Sequence, residues 1–418
     1  MSHAEQTMPS TVSPSFWEKT CRSIFLNVLS RLPNGHMVIK EQGQLVGEYG
    51  NKHHDLHAEV NILDSAAYPK LLLGGSVASG ETYMDNLWES PNLTNVIRIF
   101  ARNLPVLDEW ENRFKWVTMP ALKISHFANR NSAEQARRNI SAHYDLGNKL
   151  YTKFLDRSMM YSAAIYPDAN ASLAEAQQHK LHTICEKLQL KETDHLLEIG
   201  TGWGGLAIHA AKFYGCKVTT TTISEEQHAY AQKWIDKEGL SDNITLLKKD
   251  YRLLEGKYDK LVSIEMIEAV GKRYLTTFFT KCSSLLKSDG LMLLQSITID
   301  DRRYDSYSNS VDFIQKYIFP GGFLPSQMVI NKHLKSDTDM SISDVQDIGL
   351  DYAQTLRDWC IAFNQQAQAL AEDGYDDRFM RMWQYYLNYC EGGFLERTIS
   401  TLQLVMRKPD NRLPLSRG

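Results

Sequence analysis

The stretch HLLEIGTGWGGLA, residues 195–207, runs from an apolar, strand-like segment into four glycines and out into a helical apolar pattern. Gly200, Gly202, Gly204 and Gly205 carry no Cβ, so the backbone can turn sharply there and a ligand can approach it closely. A strand, a glycine turn and a helix, in that order, open an α/β sheet that binds ligands at the carboxyl ends of its strands. The chain beyond keeps the same rhythm. GLAIHAAKFYG reads as a helix stopped at Gly215, KVTTTTI as a β-branched strand, and EEQHAYAQKWIDKEG as a helix. NITLLKKD and KLVSIEMI read as further strands, TTFFTKCSSLLKSDG as a helix and GLMLLQSITI as a strand. From about Thr183 this alternation predicts an α/β fold with a doubly wound, Rossmann-like parallel sheet.

The glycine spacing is G-x-G-x-G-G, not the G-x-G-x-x-G of dinucleotide folds, and the Lys-Ser/Thr pair of a phosphate loop is missing. Glu198 stands two positions before the first glycine, the pattern of S-adenosylmethionine-dependent methyltransferases; a purely structural glycine turn is the other reading. A sulfonium cofactor is cationic and needs no phosphate-binding lysine. TTISEEQ closes the second strand, where ribose and adenine would be contacted. No acidic residue sits cleanly at that strand end, so Thr222, Ile223, Ser224 and Gln227 are the candidates, with Glu225 a helix N-terminal charge. KKDYRLL after the third strand offers Asp250 and Tyr251 at the adenine position.

The remaining composition narrows the function by exclusion. A net charge of −4 over 418 residues gives no basic field for nucleic acid. The six cysteines are scattered, without a CxxC pair or a His cluster at zinc spacing, so no disulfide framework or metal site is expected. Residues 1–15 are polar, without the apolar core of a secretory signal, and are expected to be a disordered tail. No apolar run approaches the roughly 20 residues that span a bilayer, so the expectation is a cytoplasmic protein with at most peripheral membrane contact. Ser15 and Glu18 have capping-box spacing, and Phe16, Trp17, Cys21, Ile24, Phe25 and Val28 follow at helical period. That helix, the hairpin HMVIKEQGQLVGEYG and the strand LHAEVNIL make residues 16–115 a small α+β domain. Residues 116–140 read as a charged helical connector and 141–418 as the catalytic domain.

Five stretches are more specific: HYDLGNKLYTKFLDRSMMYSAAIY, LEIGTGWGGLA, YDKLVSIEMIEAVG, FIQKYIFPGGFLPS and YYLNYCEGGFLERTISTLQLV, in this order. Through them the chain resembles the cyclopropane-fatty-acyl-phospholipid synthases and the related mycolic acid cyclopropane synthases. The resemblance is dense over about residues 140–407; in the small domain only GSVASGETYMDNLWES is similar. It implies an enzyme that binds S-adenosylmethionine and methylates the cis double bond of an unsaturated phospholipid acyl chain. The product would be a cyclopropane, formed through a carbocation. The small domain would serve lipid engagement and dimerisation, with the homodimer working peripherally at the inner face of a membrane. His143, Tyr144, Tyr161 and Ser162 would line the cofactor. The aromatic, bend-rich QKYIFPGGFLPS, with Tyr317, Phe319, Gly322 and Phe323, would wall the acyl chain, ordinary loop packing being the alternative.

The resemblance also implies a bicarbonate ion beside the cofactor as the base. By position its contacts are the carboxylate of Glu268, the hydroxyl of Tyr352, the amides of Ala163 and Ile297, and Gln295 where a histidine is usual. Ala163 and Ala269 stand where Cys and His are usual. Glutamine cannot carry charge near neutral pH but can donate N–H to an anion. Glu265 and Glu268, three apart, would face opposite sides of a strand, and the resemblance selects Glu268; Glu265 is left as a second site carboxylate or a surface charge. Rival products are methylene or methyl-branched chains, with a partner oxidoreductase for the latter. Rival functions are a small-molecule N- or O-methyltransferase and a non-catalytic lipid binder.

Overall fold

The computed structural model describes residues 14–106, 147–412 and 414. The chain divides after Thr118 into two compact units. The expected connector over 116–140 lies outside the described residues.

In the first unit the helix Phe16–Leu29 opens with the expected capping box: the Ser15 hydroxyl accepts from the Glu18 N–H while the Glu18 carboxylate accepts from the Ser15 N–H. Strands β1 (His36–Glu41) and β2 (Gln44–Gly50) form the hairpin, and β3 (His57–Ile62) lies parallel to β1. With the short β4 (Trp88–Glu89) they make a sheet of order β2-β1-β3-β4, accompanied by the helices Ala67–Met84 and Leu93–Arg102.

The second unit is built on β5 (His195–Ile199), β6 (Lys217–Thr222), β7 (Ile244–Lys248), β8 (Tyr258–Ile264), β9 (Leu286–Ile299), β10 (Ser341–Asp347) and β11 (Ile399–Arg407). Their order is β10-β11-β9-β8-β5-β6-β7. β5 to β9 run parallel, as the alternation predicts. β11 then pairs antiparallel with β9, and β10 with β11, so two late strands cover what would have been an open edge. The helix before β9 stops at Leu285 rather than running through Gly290. Leu286 already pairs with Tyr258 and Leu291 with Lys260, so KSDG bulges out of the ladder.

Helices cover both faces. On one, Leu181, Ile184 and Cys185 of the helix Leu173–Lys187, with Leu188 just beyond it, pack with Leu206 and Ala210 of the helix Gly205–Tyr214. On the other, Phe278, Phe279 and Leu285 of the helix Leu275–Leu285 pack with Ile330 and Leu334. Chain order reverses between β5 and β8, which makes the crevice beyond their carboxyl ends the switch point of the sheet. No helix among the described residues is long and apolar enough to cross a membrane.

Candidate active site

Two turns meet at that switch point. After β5 the chain turns through Gly200 (φ 106°), Gly202 (φ 53°) and Gly204 (φ 100°), a left-handed sequence that favours glycine. Gly205 opens the next helix so close to its neighbours that a Cβ would lie 2.5 Å from the Ser158 carbonyl oxygen. A Cβ on Gly200 would lie 3.2 Å from the Met266 side chain, so this turn abuts the chain leaving β8.

The predicted cofactor residues surround the turn but are engaged in different ways. Glu198 is buried on β5 and accepts from the Thr220 hydroxyl at 2.5 Å; Thr220 in turn meets the Thr201 hydroxyl at 2.7 Å, within the glycine turn. Its carboxylate therefore braces the turn from below, and burial pushes it up to about 8. Thr222 donates to Gln227 at 3.0 Å and Ser224 caps the helix Glu225–Glu238, so the end of β6 is preorganised. Glu225 is exposed and paired with Lys248 at 2.7 Å. Ile223 is half-buried beside them. Asp250 is buried and held by Arg252 at 2.6 Å and 2.9 Å, while Tyr251 lies edge-on to Phe278. The Tyr161 hydroxyl meets that of Tyr386 at 2.9 Å, and Phe319 lies 6.3 Å from the Tyr161 ring. Tyr317 lies tilted against Phe313 and beneath Lys316, and Phe323 packs on Tyr304 and Tyr307. A Cβ on Gly322 would sit 2.9 Å from the Phe319 carbonyl, which accounts for glycine at that bend. His143 and Tyr144 lie outside the described residues.

The second turn changes the reading of the carboxylates. β8 ends at Ile264, and Glu265 adopts φ 47°, a left-handed conformation uncommon for a side-chain-bearing residue. A single 3-10 turn, Ile267–Ala269, follows. Glu265 and Glu268 are thus not on a strand at all, and the argument that they face opposite sides fails. Both lie in surroundings dense with protein. The Glu265 carboxylate accepts from the Ala163 N–H at 3.0 Å, from Gln295 Nε2 at 2.8 Å and from the Tyr352 hydroxyl at 2.8 Å. Glu268 Oε1 accepts from the Ile297 N–H at 2.6 Å and the Ser296 hydroxyl at 3.1 Å, and Glu268 Oε2 has no hydrogen-bond partner among the described residues. Burial raises both carboxyls, and for Glu268 the neighbouring Glu265 charge adds to it. With three donors aimed at it, Glu265 is the one that carries the negative charge. Burial and that charge hold the Tyr352 phenol well above its usual range, so it stays a donor.

The donors that the resemblance gathers are thus engaged by the chain's own carboxylates. Of the four donors assigned to an exogenous bicarbonate, Ala163, Gln295 and Tyr352 serve Glu265 and Ile297 serves Glu268. A second anion within about 4 Å of Glu265 would also meet about 4 kcal/mol of repulsion at an effective dielectric near 20. Bicarbonate does not fit these residues as they stand.

Two supports escaped the sequence reading. Lys180, fully buried on the helix Leu173–Lys187, donates to the Ser162 hydroxyl at 2.8 Å. Burial lowers it to about 8 against the opposing pull of Glu265, Asp156 and Glu198. A lysine on the apolar face of an amphipathic helix, four residues from Ala176 and Ile184, was the available signal. The other support is a row of glutamines. Lys187 Nζ donates to Gln403 Oε1 at 2.9 Å, Gln403 Nε2 donates to Gln295 Oε1 at 2.9 Å, and Gln295 Nε2 donates to Glu265. Lysine can only donate, so the direction of every amide in the row is fixed from its far end.

Comparison with known proteins converges on one family. The family model described as mycolic acid cyclopropane synthetase matches residues 131–404. The chain belongs to this family. Among curated members it is 38% identical over 367 residues to the cyclopropane-fatty-acyl-phospholipid synthase of Escherichia coli, covering 86% of this chain and 91% of that one. It is 37% identical over 327 residues to the tuberculostearic acid methyltransferase UfaA1 of Mycobacterium tuberculosis, covering 77% and 76%. The solved structure of the cyclopropane synthase MmaA2 from Mycobacterium tuberculosis superposes with a TM-score of 0.61 at 27% identity, over 65% of this chain and 98% of that one. The mycolic acid cyclopropane synthase CmaA1, complexed with SAH and CTAB, gives 0.59 at 28% identity, over 65% and 98%. The family is one of S-adenosylmethionine-dependent enzymes of Rossmann-like fold, as the glycine turn predicts.

Proposed function

We propose that this cyclopropane-synthetase family member alkylates the double bond of an unsaturated phospholipid acyl chain, with cyclopropane as the product. The observation that carries the reading is a half-buried carboxylate, Glu265, at the switch point beside the glycine turn, bonded to Tyr352, which lies near Tyr161 and Tyr386. An isolated alkene has no acidic proton, so the site needs no base before methylation, only orientation and the exclusion of water. S-adenosylmethionine, held at Gly200–Gly205 and the ends of β6 and β7, supplies an electrophilic methyl group. The chain's own residues do the rest. Phe319 and Phe323 bound the apolar side, and the half-buried carboxyl groups of Glu265 and Glu268 would face the cation that methylation leaves on the substrate. The exposed Phe16 and Trp17 on the first helix suit contact with a lipid surface, so we place the enzyme peripherally at the inner face of a membrane.

The test is lipid analysis after expression in a host without such enzymes. Cyclopropane formation adds one CH2 and removes the alkene. A methyl or methylene product, the reading that the kinship with a tuberculostearic acid methyltransferase favours, would instead appear as a branched chain. Recovery of branched product alone would replace cyclopropanation with simple methylation. Methylation of soluble amines without lipid would overturn the lipid reading altogether.

A further inference from the structure

Glu265 sits where an exogenous anion is expected, on donors expected to hold that anion, at the end of a side chain whose backbone is strained to put it there. We propose that Glu265 is the built-in proton acceptor of this enzyme, replacing a dissolved anion. The inference rests on the methylation reading above and names the base for its last step.

The step balances as follows. Methylation leaves a cation on the carbon next to the newly methylated one. A C–H bond of the new methyl group breaks, its electron pair forms the C–C bond that closes the three-membered ring, and the proton passes to a Glu265 oxygen. The carboxylate has room for it. An ionised carboxylate offers about four lone-pair sites, and Ala163, Gln295 and Tyr352 use three. Those three are positioning groups. The Ala163 amide is itself fixed, because Gln177 Nε2 holds the Ser162 carbonyl at 3.0 Å and Lys180 holds the Ser162 hydroxyl at 2.8 Å. Gln295 is fixed by the row that starts at Lys187. A cation of this kind is so strong an acid that its acceptor needs correct placement more than high basicity. Left-handed backbone at a non-glycine residue is unfavourable and persists where the surroundings enforce it, commonly at functional sites.

The experiment uses the full chain, vesicles of a monounsaturated phospholipid and labelled methyl donor, in buffer stripped of carbon dioxide and in buffer with added bicarbonate. Wild type is expected to turn over equally, within about twofold, in both. Glu265→Gln is expected to lose about 10²–10⁴ in turnover, the range for removing a general base, and to stay low with bicarbonate because the amide still fills the place. Glu265→Gly, which the positive φ suits, is expected to fail in stripped buffer and to regain turnover with bicarbonate. Bicarbonate is also expected to raise the melting temperature of Glu265→Gly and not that of wild type, a readout independent of activity. Calorimetric binding of S-adenosylhomocysteine by each variant checks that it is folded. A tenfold fall of wild-type turnover in stripped buffer, near-normal turnover of Glu265→Gln, or a Glu265→Gly variant that bicarbonate neither rescues nor stabilises would each overturn the proposal. Wild type that moves no methyl group to any lipid would instead overturn the function on which it rests.

Discussion

The turns after β5 and β8 lie side by side at the switch point, and they do opposite things. The β5 turn is rich in glycines on left-handed backbone, and its side chains Thr201 and Trp203 bond to the surrounding protein, to Thr220 and Asn148. The β8 turn holds two carboxylates, one on strained backbone, and recruits its donors from Ala163, Gln295 and Tyr352, far apart in the chain. The first is a local device that a short motif encodes. The second exists only after the sheet has formed, since Gln295 reaches Glu265 across the β8–β9 pair and Tyr352 arrives on the later helix Gly349–Gln365. On the function proposed above, the first turn would hold the cofactor and the second would take the proton.

Substitutions can break that division of labour, beginning with the strongest. Gly205→Ala pushes a Cβ against the Ser158 carbonyl, a backbone atom that cannot swing away. It should cost about 1–3 kcal/mol and weaken S-adenosylhomocysteine binding by about 10–100-fold in a calorimetric titration. Unchanged affinity would mean that the glycine turn does not hold the cofactor. Next, Lys180→Met removes a positive charge that lowers Glu265. A base works when deprotonated, and burial already raises Glu265, so the acid limb of the rate profile should lie above the ordinary carboxylate range. In Lys180→Met that limb should move to higher pH by up to about one unit, equivalent to about 1.4 kcal/mol. Above pH 8, where Lys180 itself loses its proton, the two profiles should converge. A merely structural lysine would lower the whole profile without moving the limb. The smallest effect is expected for Glu268→Gln, which exchanges a carboxyl already pushed toward its neutral form for a neutral amide and keeps an oxygen for the Ile297 amide. Turnover should fall by less than about tenfold; a loss as large as that of Glu265→Gln would make the two carboxylates a single unit.

The same contrast explains what could be read from the residues alone. The alternation of strands and helices and the glycine turn follow from periodicity and glycine spacing, both local. So does the first helix, whose Ser15–Glu18 capping box formed as written. The candidate site was half legible: similarity brought Ala163, Gln295, Tyr352 and Ile297 together, but not the one torsion at Glu265 that decides which carboxylate they serve. A period-2 argument holds only while a strand continues, and β8 stops one residue too soon. Lys180 was missed because charge on an apolar helix face looks like noise until three carboxylates from separate elements close around it. β10 and β11 fell beyond the alternating pattern, which carries no information on antiparallel closure.

The row from Lys187 through Gln403 and Gln295 has a consequence for how one catalytic cycle gives way to the next. A proton accepted by Glu265 finds the Ala163 amide and the Gln295 amide still pointing hydrogen at the carboxyl group, and neither can reverse: the first is backbone and the second is held in one sense by a lysine two links away. Of the three partners, only the Tyr352 hydroxyl can rotate to accommodate the new O–H. These fixed donors favour the carboxylate against the burial that raises it, and so help the accepted proton to leave once water reaches the site. Such a group resets itself, ready for the next acyl chain without waiting for anything to diffuse in.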